Sequence, residues 1–176
     1  FIFSDVSFGN LLFAGCYLIH GQDFNTAIEQ FSVFCELNTR VLNITDGANR
    51  VLLGMKENGT FLHDEASVVG PQDASRIEEI FLLHQYLTPE EIAGHSHKAQ
   101  MLQFLREKED FPLLQPRARK ALEEADIIIY GPGTQYSSLF PSYLTVGVAE
   151  AIQSNIHAEK IFIANIARDY DILGED

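Results

Sequence analysis

The chain has 176 residues, 46% of them hydrophobic and 21% charged, with a formal net charge of −13. That length and apolar content suit one globular domain with a substantial core. So acidic a chain disfavours nonspecific binding to nucleic acid or anionic membranes, and no apolar run reaches membrane-spanning length.

Residues 7–19 have helical spacing, with Leu11, Leu12, Gly15, Leu18 and Ile19 on one stripe. Gly9-Asn10 lies at the start, where backbone donors and an amide side chain could face a ligand. The plainer reading makes Asn10 a helix cap. His20-Gly21 ends this helix and Asp23 caps the next, whose Phe24, Ala27, Ile28, Phe31, Phe34 and Cys35 are expected to face the core. Cys16 and Cys35 both fall in apolar helical patterns and read as reduced core thiols rather than a disulfide.

Residues 40–45 read as a strand. Residues 51–55 and 60–62 are joined by Lys56-Glu57-Asn58-Gly59, and Asn-Gly between such runs is a hairpin signal. A short strand is expected at residues 66–69, and strand is favoured over helix at residues 77–83. These segments read as an antiparallel patch at the edge of a parallel sheet. Thr88-Pro89-Glu90-Glu91 is a helix start. Within the polar stretch from 90 to 110, His95-Ser96-His97 has no Cys or carboxylate set beside it. A solvated face fits it better than a metal pair, so no metal ligand is assigned. Pro116 opens a short helix through Glu124.

The centre of the chain is residues 125–138, read as a buried strand, a Gly-rich turn and a helix start. Ile127, Ile128 and Ile129 cannot alternate in and out, so the strand is expected to be covered on both faces. Gly131, Pro132 and Gly133 let the backbone bend and approach a ligand closely. Ser137 or Ser138 is expected to cap one helix carrying Phe140, Tyr143, Leu144, Val148, Ala151 and Ile152. A Gly-rich turn before a helix start can hold an anion on backbone N–H groups. The turn reads either as a phosphate-binding loop or as a simple connector. A second apolar strand at residues 160–164 completes a βαβ unit, and an acidic tail follows at Asp169, Asp171, Glu175 and Asp176.

Ser7-Phe8-Gly9-Asn10-Leu11 with Ala14-Gly15 and Leu18, Arg40-Val41-Leu42 with Thr45, the run from Ala125 to Thr134 with Tyr136-Ser137-Ser138, and Lys160-Ile161-Phe162 with Asn165 occur in an order that resembles the 2-phospho-L-lactate transferase family, including its gluconeogenesis-factor (YvcK-like) branch. The resemblance implies a cytoplasmic α/β protein with a Rossmann-like, mainly parallel sheet flanked by helices and an antiparallel edge hairpin. It implies a single domain over residues 1–176, a fragment lacking the family's N-terminal strand and Gly-Gly-Thr-Gly loop. One branch transfers a phosphate-linked group from a nucleoside diphosphate donor with Mg²⁺. The other is a non-catalytic regulator of carbon metabolism or cell-wall synthesis that binds a nucleotide-sugar. Enzyme and regulator stay open, as does a homo-oligomer. Carried over residue by residue, Gly131, Gly133, Thr134, Tyr136, Ser137 and Ser138 would hold a nucleoside diphosphate or nucleotide-sugar. Gly9, Asn10 and Asn165 would face a second substrate. Asn43 stands where the family has proline, and Ala167-Arg168-Asp169-Tyr170-Asp171 departs from its usual tail.

Overall fold

The computed structural model describes residues 6–70 and 75–166, so the acidic tail lies outside the described residues. Two helices come first, α1 (Phe8–Ile19) and α2 (Phe24–Phe34). An antiparallel sheet follows, with strand order β2 (Phe61–Leu62), β1 (Val51–Lys56), β3 (Ile77–Leu83). Between β2 and β3 sits α3 (Glu65–Val69), and after β3 come α4 (Pro89–Gly94), α5 (Lys98–Lys108) and α6 (Pro116–Glu124). A parallel pair, β4 (Ile127–Tyr130) and β5 (Glu159–Phe162), encloses a π turn (Gln135–Leu139), α7 (Phe140–Tyr143) and α8 (Val148–Ser154). This is the expected α/β class, with its βαβ unit. The antiparallel strands form a sheet of their own rather than the edge of the parallel one.

The core is built on β1, which is buried at every position. Val51, Leu53 and Met55 face one side, packing with Phe81, Leu83, Met101 and Leu105 under α5. Leu52 faces the other, with Leu62, Val68, Ile77 and Leu82. A third cluster joins α6 to α8 through Leu114, Ala118, Val148 and Ala151. The hairpin turns where expected, with Gly59 at φ 87 and the Thr60 amide donating to Asn58 Oδ1. α5 lies inside the stretch that reads as polar, yet it buries Met101 and Leu105 at four-residue spacing.

Several expectations fail for local reasons. Residues 66–69 are helical, because Asp64 and Ser67 form a reciprocal capping box that starts a turn of helix. Residues 40–43 form no strand. Asn43 Nδ2 donates instead to the Thr45 carbonyl and hydroxyl, a local bond that competes with a ladder, and only a single bridge joins Thr45 to Leu114. The single helix expected after the Gly-rich turn is broken, since Pro141 opens α7 and Gly147, at φ 98, precedes α8. On α2 only Ala27 is buried; Phe34 and Cys35 are exposed, and Cys16 is half-buried. Ile128 is buried but Ile127 and Ile129 are more than half exposed, so the described residues cover β4 on one face only.

Leu53 is fully enclosed, so Leu53→Ala should cost about 2–5 kcal/mol in a urea titration. Leu113→Ala, at a 65% exposed site, should stay within about 0.5 kcal/mol of the parent. The Ser67 amide and hydroxyl hold the Asp64 carboxyl below its ordinary 3.8. A depressed folded pKa makes the unfolded chain bind more protons, so this stability is present above 3.8 and is lost as pH falls through the folded value. Asp64→Asn should therefore flatten the acid limb of the stability profile, measured by urea midpoints from about pH 2 to 6.

Candidate functional site

The Gly131–Ser138 turn leaves the carboxyl end of β4, one of two adjacent parallel strands. Such ends are where open α/β sheets present ligands. Gly131 is roomy, with nothing within 4 Å of where a Cβ would sit. Gly133 has ordinary contact with Leu139 at 3.4 Å, and its φ is not positive, so no backbone strain argues for glycine there. Thr134 precedes the π turn, and its carbonyl accepts from the Ser138 and Leu139 amides at 3.1 and 3.2 Å. Ser137 and Ser138 thus lie inside the first helical turn rather than at its cap.

Three hydroxyls gather there. Thr134 Oγ1 lies 2.7 Å from Ser137 Oγ and 2.6 Å from Ser138 Oγ. Each hydroxyl carries one proton, so the two internal bonds use two of the three. Asn165, three residues past β5, clamps the turn: its Oδ1 accepts from the Gly133 amide at 3.0 Å and its Nδ2 donates to the Gly133 carbonyl at 2.8 Å. The two predicted residues meet across thirty-two positions of sequence, with the Gly133 amide engaged by Asn165. Tyr136 is half-buried, packing on the Leu52, Leu62, Val68, Ile77 and Leu82 cluster and lying 5.3 Å from Phe140. Gly9 and Asn10 stand exposed in the first turn of α1, where Ser7, not Asn10, is the cap and accepts from the Asn10 amide. α1 packs on α2.

A cleft of about 300 Å³ lies beside the turn, lined in part by Thr45, Asn49, Arg50, Ser137, Ser142 and Thr145. Arg50 is the residue sequence reasoning missed. Its side chain is only 16% exposed; Nε donates to the Asp110 carbonyl at 2.7 Å and Nη2 lies 3.0 Å from the Asp110 carboxylate. The turn residues Asp46-Gly47 just ahead of it, after the strand-like stretch at residues 40–45, were the available signal. Gly47 there has φ 91, and a Cβ would lie 2.8 Å from Phe24 Cβ. His95 closes α4 and stacks on Phe104 at 4.0 Å, while His97 starts α5. No group of three or more His, Cys, Asp and Glu gathers as a metal cluster among the described residues. No helix among them is long and apolar enough to cross a membrane.

Residues 3–173 match the family described as 2-phospho-L-lactate transferase CofD. The chain belongs to this CofD family. It is 32% identical over 162 residues to a gluconeogenesis factor of Halalkalibacterium halodurans, covering 91% of this chain and 40% of the relative. It is 30% identical over 160 residues to the gluconeogenesis factor of Bacillus subtilis, covering 91% and 41%. A crystal structure of a UPF0052-family protein from Bacillus halodurans superposes with a TM-score of 0.66 at 30% identity, over 90% of this chain and 42% of that one. The chain therefore spans about two fifths of the length of these CofD-like relatives.

Asn165→Ala removes both clamp bonds. At about 0.5–1.5 kcal/mol each, the expected loss is about 1–3 kcal/mol. Amide exchange at Gly133 should accelerate in the same variant, measured by NMR; unchanged exchange would mean that the clamp does not order the turn.

Proposed function

We propose that this chain is the nucleotide- or nucleotide-sugar-binding part of a cytoplasmic CofD-like protein. The observation that carries the reading is the hydroxyl cluster of Thr134, Ser137 and Ser138, held by Asn165 at the carboxyl ends of two parallel strands. Hydroxyls and backbone amides suit a diphosphate, which offers acceptors only. Gly131 leaves room for close approach of a phosphate. The neighbouring cleft has the volume for a small group carried on the nucleotide, with Ser137 on its wall. Thr134, Ser137 and Ser138 would bind and orient the diphosphate. The broken helix weakens the case for a long helix dipole, so the hydroxyls and the turn carry more of this reading.

Mg²⁺ is implied only by the resemblance. Residues 131–139 contain no carboxylate, and hydroxyls with amides are a poor donor set for a dedicated Mg²⁺ site. No step is assigned to a metal here. The curated relatives carry the name gluconeogenesis factor, and that observation favours the second reading: a regulator that binds a nucleotide-sugar without turning it over.

Guanosine and uridine diphosphates, and their sugar conjugates, at millimolar concentration should raise the melting temperature, because they bind the folded state. In titration calorimetry, Gly131→Val should weaken binding at least about tenfold, or 1.4 kcal/mol. Its melting temperature should stay near the parent's, since nothing lies within 4 Å of where its Cβ would sit. Ser138→Ala should lose about 0.5–1.5 kcal/mol of binding. If no nucleotide shifts the melt, or Gly131→Val binds as the parent does, the turn is a connector. Product formation would assign the transferase; binding without turnover would assign the regulator.

A further inference from the structure

The chain carries 25 acidic residues against 12 lysines and arginines, so carboxylates are plentiful for every guanidinium. The other described arginines have each taken one: Arg50 meets Asp110, Arg76 meets Glu57, Arg106 meets Glu79, Arg117 meets Glu29 and Arg119 meets Glu123. Among the described residues Arg40 has no ion pair and no side-chain hydrogen bond. It lies on the wall of a cleft of about 400 Å³, lined from α2, from residues 37–42 and from the start of α6. The Arg117–Glu29 pair is on the same wall. The exposed side chains of Val33, Leu37 and Val41 supply an apolar side. None of these residues lines the cleft beside the Gly131–Ser138 turn.

We propose that this cleft binds a small organic monocarboxylate, an aliphatic or aromatic acid whose carboxylate pairs with Arg40. A guanidinium presents parallel N–H groups that match the two oxygens of a carboxylate. The charge count of the cleft sets the charge of the ligand. Glu29 already neutralises Arg117, so one positive charge remains, and Glu29 repels a second negative charge on the ligand. A phosphate monoester or a dicarboxylate is thereby disfavoured. Val33, Leu37 and Val41 take the hydrocarbon body of the acid out of water. The volume is that of a small-molecule site, and a few polar groups on a largely apolar wall are its usual make-up.

The test is titration calorimetry on the product of the complete gene, with hexanoate and benzoate as probes. Hexan-1-ol keeps the hydrocarbon without the charge, and inorganic phosphate keeps the charge without the hydrocarbon. Both carboxylates should bind at millimolar concentration, and the alcohol and phosphate at least about tenfold more weakly. Arg40→Gln should weaken hexanoate binding at least about tenfold and leave the melting temperature of the ligand-free protein unchanged. The proposal is overturned if neither acid binds, if Arg40→Gln binds hexanoate as the parent does, or if phosphate or hexan-1-ol binds as tightly as hexanoate. A lower ligand-free melting temperature for Arg40→Gln, or its failure to fold, also overturns it, because Arg40 would then have a carboxylate partner elsewhere in the complete protein.

Discussion

The double-sided burial of β1 is the constraint on which the rest of the molecule depends. A six-residue strand with no exposed position needs packing partners above and below it. α5 supplies one side, and α3 with the π turn supplies the other. Gly54 makes the second side close, since a Cβ there would lie 3.2 Å from Leu62 and 3.5 Å from Val68. Fully burying such aliphatic and aromatic side chains contributes roughly 1.5–3 kcal/mol each. Tyr136 belongs to this second side. The candidate ligand turn is thereby fixed to the antiparallel sheet as well as to its own strand.

The CofD family places the chain among proteins whose names point to a transferase on one side and a gluconeogenesis factor on the other. At the turn itself three hydroxyls lie in mutual contact, the Asn165 amide bonds Gly133 through both its polar atoms, and Gly131 is open. Arg50 is held by Asp110 and by its own loop.

The local part of the fold was legible. Asp23 as a cap, Asn58-Gly59 as a turn and Pro89 at a helix start each work through bonds to near neighbours in sequence. The parallel pairing was legible from two apolar runs separated by a helical stretch. What failed depended on context. Three successive isoleucines imply two covered faces, yet the described residues cover one. Val68 is a good strand residue placed in a helix by a capping box one turn earlier. At the candidate site, residue types were readable while partnerships were not: nothing in the spacing of Gly133 and Asn165 announces that they bond.

That bond bears on strand alignment. Ile127, Ile128 and Ile129 present the same side chain at each step, so β4 has little of its own to tell one register from the next. Asparagines supply the missing information at both ends. Asn155 donates to the Leu122 and Ala125 carbonyls and accepts from the Ala158 amide, tying the entry of β5 to the entry of β4. Asn165 ties the two exits. A slide of one residue, about 3.3 Å, would break the four hydrogen bonds that join the two strand segments and set Lys160 or Phe162 opposite Ile129 in place of Ile161. Polar side chains with fixed reach therefore act as alignment marks on a strand whose apolar surface carries none.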